Sequence, residues 1–336
     1  MEALAPGVKQ VAVHVGDRGT KVTDVALFSR ADIIFRSLAT QKPLPMQRIL
    51  FSLALATSML AAQAQYGSFD AATVKAARSA TTVVVLDNGD SPFNRMLMEA
   101  MKSHWKYTKE VDYVNVGDLA TMPMDPARIY VLKSVKVDPV KFEGTFLTVV
   151  KGWKQKKGDM LQANEIGFTN VPTDQELASI LIDPKSINEN LNTAMLHVYV
   201  KHLQDFLKNV ETGKIIDKAT ADRLYASRTR LIRECELLLA TEQLDKSLSM
   251  ESVKSSYGAP ANLLPVAELM AAVTAQDKSK CVGDMLLTGD HKARHCFKRI
   301  FNAGTGELMY LGDDQALAGK KEGFIVSDLT NVARAR

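Results

Sequence analysis

Short β-branched runs alternate with helical periodicity along the first half of the chain. The run TTVVVL at 81–86 is typical of a fully buried strand. Ser91 and Pro92 then favour the start of a helix, in which apolar residues recur at helical spacing as far as Trp105. The pattern therefore predicts a β-α-β start, followed by further strands at 111–116, 129–132 and 142–150.

The middle of the chain changes from strands to helices. Residues 151–158, KGWKQKKG, are interpreted as the tip of a hairpin whose return strand runs through 160–168. From Thr173 the spacing predicts a short helix at 174–181, a long one at 187–210, and another from about residue 219. The last two are predicted to form an antiparallel helical hairpin that connects two lobes, with a homodimer surface as the alternative role.

The second half repeats the element order of the first half. Helices are predicted at 250–257 and 267–276, and strands at 236–240, 262–266, 282–287, 296–301 and 307–311. Gly304 and Gly306 supply the positive φ that a tight hairpin with a bulge requires. The predicted fold is α/β, with two mixed-sheet lobes joined by the helical hairpin. The predicted segments are 65–172 for the first lobe, 173–234 for the connector and 235–336 for the second lobe.

Residues 46–65 are interpreted as a secretory signal peptide with its cleavage site. Arg48 supplies the positive charge, 49–62 the apolar region, and Ala62-Gln63-Ala64 the small-residue pattern before cleavage. Cleavage between Ala64 and Gln65 predicts a periplasmic or secreted protein. The apolar run is shorter than the roughly 18 to 20 residues that span a bilayer, so we expect no membrane span in the mature chain.

Forty-five residues precede this signal. We interpret 1–45 as the product of a start codon chosen too far upstream, and 46–64 as the signal peptide itself. The alternative is a genuine N-terminal domain, in which 11–15 forms a strand. Seven of the 42 basic and four of the 38 acidic residues precede Gln65, which leaves a net charge of only +1 on the remainder. This near-neutral charge argues against a nucleic-acid partner.

Three cysteines follow the signal: Cys235, Cys281 and Cys296. An odd number in an exported protein leaves at least one thiol without an intramolecular partner. Cys281 and Cys296 begin successive antiparallel strands, so each faces the far end of the other strand, and a bond between them would be strained. All three are therefore expected to be small apolar core residues.

The first candidate site follows the first predicted strand. Asp87, Asn88, Asp90 and Ser91 lie beyond its carboxyl end, where open α/β sheets bind ligands. Carboxylates there can bind a divalent cation or accept a proton. The alternative is a structural turn and helix cap, which the same residue types favour. The glycine-rich patterns that cradle phosphate are absent from the sequence.

The second candidate is a metal site formed by Asp290, His291 and His295, with Cys296 adjacent. Because the ligand set is incomplete, an exposed polar loop is the alternative. The sequence contains no nucleophile elbow, zinc-protease motif or paired CxxC, so no cofactor is predicted. His202 lies on the apolar stripe of its helix and is expected to be a satisfied core residue.

Several stretches resemble uncharacterised exported bacterial proteins built from α/β lobes. They are TVVVLD at 82–87, SPFNRMLMEAMKSHW at 91–105, FLTVVKG at 146–152 and NAGTGELMY at 302–310. A looser likeness is to periplasmic α/β domains of envelope accessory proteins, which implies an envelope protein partner. We therefore expect a non-enzymatic binding protein. The alternative is a hydrolase or metal-dependent enzyme that uses the Asp87/Asp90 loop or the His291/His295 loop.

Overall fold

The computed structural model describes residues 66–138, 142–156, 159–289, 294–316 and 320–335. Within these ranges the helices are α1 (Ala71–Ala77), α2 (Pro92–His104), α3 (Val116–Leu119), α4 (Pro184–Asn188), α5 (Met195–Glu211), α6 (Lys218–Thr229), α7 (Met250–Tyr257), α8 (Val266–Ala275) and α9 (Val326–Arg334). The strands are β1 (Thr81–Leu86), β2 (Val111–Asn115), β3 (Arg128–Asp138), β4 (Phe142–Lys151), β5 (Ala163–Asn164), β6 (Gly167–Phe168), β7 (Glu176–Ile182), β8 (Glu236–Ala240), β9 (Ala261–Leu264), β10 (Lys280–Thr288), β11 (Arg294–Asn302) and β12 (Leu308–Ala316).

The first lobe is a mixed sheet in the order β2-β1-β3-β4-β7. Strand β1 is parallel to both of its neighbours, whereas β4 is antiparallel to both of its neighbours, β3 and β7. Val84 of β1 belongs to the apolar cluster that includes residues of α2, and Val83 belongs to a cluster with Leu119 of α3. Because alternate residues of a strand face opposite sides, the two helices cover opposite faces of the sheet.

The second lobe repeats this arrangement. Its sheet has the order β12-β11-β10-β8-β9. Strand β8 is parallel to its neighbours β9 and β10, whereas β11 is antiparallel to its neighbours β10 and β12. In each lobe the first strand lies second in this order, the second strand lies at one edge, and three strands follow on the other side; β5 and β6 of the first lobe belong to the same sheet but lie off this path. The prediction of an α/β fold with two mixed sheets of similar element order is confirmed.

Helix α5 lies in the hydrophobic core that the two lobes share. Thirteen of its seventeen residues are buried. One apolar cluster contains residues of α5 together with residues of both sheets. Helix α5 packs against α1, α2 and β7 of the first lobe and against α8 of the second. Most of its surface is thus already buried within this chain. A homodimer through the helical hairpin stays a prediction, as do the proposed segment boundaries.

Three predicted elements of the middle segment differ from the structure. Residues 176–182 form strand β7, not a helix, and every residue of this strand is buried. A strand buried on both faces loses the alternation that marks most strands, so its pattern resembles that of a buried helix. The partner of β4 is therefore β7, and not the predicted return strand at 160–168. The predicted long helix is divided into α4 and α5, with Asn190 at φ 60° between them.

The hairpin between β11 and β12 is present as predicted, but only one of its two glycines has the predicted positive φ, since Gly304 does not have one. Gly306 has φ of 70°, and the register shifts between Ile300 and Phe301. The Asn302 side-chain oxygen accepts hydrogen bonds from the backbone N–H groups of Gly304 and Thr305, at 3.0 and 2.9 Å. Local side-chain and backbone chemistry thus holds this turn.

The first described residues are anchored to the outer edge of β7. The N–H of Ser179 donates to the carbonyl of Tyr66, and the N–H of Ser68 donates to that of Leu177. The Tyr66 side chain is buried, and its hydroxyl donates to Asp222 of α6. Gly67 has φ of 116°, and a Cβ there would lie 2.6 Å from the Ala178 backbone. None of the helices within the described ranges is both long and apolar enough to span a lipid bilayer.

Candidate functional site

The loop after β1 is organised by the side chain of Asn94. The N–H of Asp87 donates to Asn94 Oδ1 at 2.8 Å. Asn94 Nδ2 in turn donates to the carbonyls of Asp87 and Gly89, at 2.9 and 2.7 Å. The Ser91 hydroxyl accepts from the N–H of Asn94 at 3.1 Å and caps α2. Ser91 therefore stabilises the first turn of the helix, as its alternative interpretation predicted.

Asp87 forms an ion pair with Lys133, a residue of the neighbouring strand β3. The distance from Lys133 Nζ to Asp87 Oδ1 is 2.5 Å, and only 4% of the lysine side chain and 21% of the aspartate side chain are exposed. Lys133 Nζ also lies 4.6 Å from the centroid of the Phe93 ring. The carboxylate of Asp87 thus already has a cationic partner, which lowers its capacity to bind an added cation.

The other two predicted residues are more exposed. Asn88 Oδ1 accepts from the N–H of Gly117 at 3.1 Å, which joins the loop to α3. Asp90 forms an exposed ion pair with Arg95 at 2.7 Å. The structure therefore brings the four predicted residues together on one loop, and each of them has a partner within the chain.

The space beyond the carboxyl end of β1 is filled by the chain itself. Strand β6 pairs with β3 there, with Phe168 opposite Ser134. Phe168 is 1% exposed, and a Cβ at Gly167 would lie 2.8 Å from the Lys133 carbonyl oxygen. Ligands of open α/β sheets normally occupy this crevice. In this lobe the crevice is closed by the segment between β4 and β7, which contains β5 and β6.

The second lobe closes its corresponding edge in a different way. Phe324 forms a parallel β-bridge with Leu244, a residue that follows β8. The N–H of Phe324 donates to the Gln243 carbonyl at 2.9 Å. The Phe324 side chain is fully buried. Glu242 accepts from the N–H of Val266 at 3.2 Å, which parallels the contact of Asn88 with α3 in the first lobe. Both lobes therefore share a capping contact and a filled crevice.

The predicted metal site is only partly visible. Asp290 and His291 lie outside the described residues. His295 is in β11, and its Nδ1 lies 3.1 Å from Asp313 Oδ1 of the adjacent strand β12. Among the residues that the structure describes, no three or more His, Cys, Asp or Glu side chains are grouped so that they could hold a metal ion. The metal site stays a prediction.

A buried charged network between the lobes was not foreseen from the sequence. Arg299 of β11 donates from Nε and Nη2 to Asp284 Oδ2, at 2.9 and 2.5 Å, and from Nη1 to the Leu181 carbonyl at 2.8 Å. The Tyr199 hydroxyl of α5 donates to the same Asp284 oxygen at 3.0 Å. The network thus links β10 and β11 of the second lobe to α5 and to β7 of the first.

His202 lies beside this network and is buried as predicted. It is 4% exposed, and its ring packs against Tyr225 and Phe301 with centroid distances of 6.1 and 5.6 Å. Its Nδ1 makes no hydrogen bond within the described protein, so the residue is not fully satisfied. The adjoining cavity, which Arg299 also lines, has a volume of about 10 Å³. A cavity of this size holds roughly one water molecule, far less than a small-molecule ligand requires.

The burial of His202 predicts an acid-sensitive fold. Burial lowers its pKa to about 4, with Arg299 and Arg228 contributing in the same direction and Asp205 opposing them. An unfolded histidine has a pKa of about 6.5, so the unfolded chain binds more protons between these values. We expect full stability above pH 6.5 and a progressive loss, of order 3 kcal/mol, as the pH falls to about 4. Urea unfolding at several pH values measures this loss.

Replacing His202 by phenylalanine tests the assignment of this acid sensitivity. The variant should lose less stability than wild type between pH 7 and pH 4.5, because the buried proton acceptor is gone. His104→Gln is the comparison, since burial followed by Lys201 and His197 also lowers the pKa of His104 to about 4. His104 is only partly buried, and solvent screening reduces the free energy that its lowered pKa represents, so its share of the loss should be smaller. An unchanged pH profile in the phenylalanine variant would refute the role of His202.

Strand β2 is an edge of the first sheet, and among the described residues no strand pairs with its outer side. Asp112, Tyr113 and Asn115 are exposed. The N–H of Thr82 donates to the Glu110 carbonyl, so alternation along a parallel ladder directs the backbone groups of Tyr113 away from β1. Desolvation raises the pKa of the Tyr113 phenol above its ordinary value, in line with a partly buried ring. The exposed loop residue Asn88 lies near the carboxyl end of this strand.

Comparison with known proteins does not extend this description. No protein-family model matches the chain, and no curated protein or solved structure was found to be significantly similar to it.

Proposed function

We propose that this chain is an exported, non-enzymatic α/β protein that binds another protein in the cell envelope. The observation that carries the proposal is the contrast between filled crevices and an open edge. Open α/β sheets commonly bind small ligands in the crevice at the carboxyl ends of their strands. Phe168 fills this crevice in the first lobe, and Phe324 fills it in the second. Strand β2 and the adjoining loop offer an exposed surface instead.

We propose an extended segment of the partner protein as the ligand of this surface. An edge strand presents N–H and C=O groups that an incoming strand can pair with, and neighbouring side chains then add specificity. Tyr113 supplies an aromatic contact, since its side chain is 38% exposed. The corresponding edge of the second lobe, β9, has one exposed residue in four, whereas β2 has three in five. This difference favours the first lobe.

Export and cleavage between Ala64 and Gln65 form part of the proposal. Tyr66, the second residue after the proposed cut, is buried and hydrogen-bonded to α6. Cleavage there would therefore retain all the described contacts of the fold. The expected location is the periplasm or the exterior of the cell.

Site-directed photocrosslinking in cells tests the binding surface. A photoreactive amino acid at Asp112 should give discrete protein adducts, because this residue is exposed on β2. The same amino acid at Asn262, the exposed residue of β9, serves as the control. The crosslinked chain should begin at Gln65 by mass spectrometry. Adducts at Asp112 no stronger than those at Asn262 would contradict the proposal.

A proline substitution separates strand addition from other contacts. Tyr113→Pro removes an N–H that faces away from β1, so the sheet keeps its internal ladder. We expect the Asp112 adducts to fall at least tenfold in this variant. Ala261→Pro makes the matched change on β9, whose residue 261 also faces outward because Leu237 donates to the Pro260 carbonyl. If the proline variant has a lowered Tm, Tyr113→Lys is used in its place, and the Asp112 adducts should again fall, since lysine disfavours pairing at an edge.

A further inference from the structure

Two of the three cysteines meet at the start of the second lobe. Cys281 is in β10, directly opposite Leu237 of β8. Cys235 lies two residues before Leu237, and alternation along the strand places both sulfur atoms on one face of the sheet. The Cys235 thiol is close enough to interact with the side chain of Cys281. The two cysteines are not bonded to each other in this structure.

Contacts to a third residue locate the pair independently. Asn302 is paired with Cys281 across β10 and β11. The Asn302 side-chain amide lies 3.9 Å from the sulfur of Cys235, which itself lies 3.6 Å from the Lys278 carbonyl. The sulfur of Cys281 also lies 3.5 Å from that of Met309. Asn302 thus lies next to both cysteines, since it is opposite Cys281 on the neighbouring strand and its amide contacts Cys235.

Their exposure differs in a way that suits sequential reaction. Cys235 is partly exposed, whereas Cys281 is fully buried. Burial, followed by the neighbouring Cys235, raises the pKa of the Cys281 thiol, which keeps it protonated and unreactive toward an external reagent. Cys235 precedes the first residue of β8, so a small movement toward Cys281 leaves the β8–β10 ladder intact. These features favour Cys235 as the first thiol to react.

We propose that Cys235 and Cys281 form a disulfide when the protein meets a disulfide-containing oxidant. The Cys235 thiolate attacks one sulfur of the oxidant R–S–S–R, which releases the first RS⁻ and leaves a mixed disulfide. The Cys281 thiol then loses its proton and attacks the Cys235 sulfur, which releases the second RS⁻. The two protons lost by the cysteines yield two RSH. The protein is oxidised by two electrons and the oxidant is reduced.

The bond would join β8 to β10 and close a loop that contains α7, β9 and α8. An intramolecular bond that closes a loop of this length restricts the unfolded chain, so the oxidised protein should have a Tm higher by roughly 5 °C. Oxidising conditions occur outside the cytoplasm, which connects the bond with export. The inference is independent of the partner-binding proposal, because its test needs neither a partner nor export.

Thiol counting by mass spectrometry tests the bond. The reduced chain is incubated with oxidised glutathione, then denatured and alkylated. Wild type should lose the mass of two hydrogen atoms and take up a single alkyl group, on Cys296. The matched control Cys296→Ser, which removes the other buried cysteine, should lose the same mass and take up none. Proteolysis should recover the peptides of Cys235 and Cys281 joined together.

Two variants identify the order of the steps. Cys281→Ser should stop at a glutathione adduct on Cys235, and Cys235→Ser should keep both of its thiols free. The proposal is overturned if wild type also stops at the Cys235 adduct, or if all three thiols remain open to alkylation. Because wild type alone separates these outcomes, instability of a variant does not affect the conclusion.

Discussion

Replacing Arg299 by methionine is expected to lower the free energy of unfolding by about 4 kcal/mol. Arg299 and Asp284 are 3% and 1% exposed, and two nitrogens of the arginine donate to one aspartate oxygen. Without the guanidinium, the carboxylate stays buried with only the Tyr199 hydroxyl as a donor. The Leu181 carbonyl also loses its contact with the second lobe. Urea unfolding at pH 7 measures the loss.

The matched control for this change lies on the same strand. Arg294 forms an ion pair with Glu322 at 2.9 Å, but both side chains are 29% exposed. Arg294→Met should therefore cost no more than about 1 kcal/mol. A double variant, Asp284→Leu with Arg299→Met, should recover most of the lost stability, since removing both charges leaves no uncompensated ion. Equal losses for the Arg299 and Arg294 variants would show that burial of the pair does not matter.

Replacing Phe324 by alanine is expected to cost about 4 kcal/mol and to loosen the carboxyl edge of the second sheet. The Phe324 ring is fully buried in a cluster with Leu239 and Leu248. A Cβ at Gly283 would lie 3.2 Å from this ring, so the ring packs directly on β10. Its removal leaves a cavity where the chain now fills the crevice. Unfolding by urea gives the size of the effect.

Hydrogen exchange shows where the Phe324→Ala variant is weakened. Faster exchange is expected in β8 and in the segment that pairs with residue 244, and little change is expected in the first lobe. Val326→Ala is the control, because Val326 is 38% exposed and only two residues away. It should cost less than about 1 kcal/mol. A similarly small cost for Phe324→Ala would mean that the segment does not close this edge.

Part of the candidate site was predictable because its contacts are local. Ser91 caps a helix that begins one residue later, and an Asp-Asn-Gly stretch after a buried strand favours a turn. The partner of Asp87 was not predictable, because Lys133 is 46 residues away and reaches the loop only through the parallel pairing of β1 with β3. The position of the loop could thus be predicted from the sequence, but the pairing of the Asp87 carboxylate with Lys133 could not.

The wrong prediction of a helix where residues 176–182 form β7 also arises from contacts between residues that are distant in the sequence. ELASILI is apolar at most positions, and no local residue distinguishes a strand buried on both faces from a buried helix turn. The pairing with β4 decided between them, because a strand there satisfies the backbone groups of both segments. His202 shows the opposite case: its burial followed from the apolar stripe of its helix. The lack of a hydrogen-bond partner at Nδ1 depends on residues from distant elements.

The sequence by itself determined most of the elements outside the middle segment, the similarity of element order between the two lobes and the turns at 87–91 and 302–306. These depend on apolar periodicity, helix caps and glycine conformations, which act over a few residues. Only the tertiary structure decided that β7 pairs with β4, that Phe168 and Phe324 fill the two crevices, and that Cys235 meets Cys281. Such contacts depend on strand order and register, which bring together residues whose separation along the chain carries no local signal.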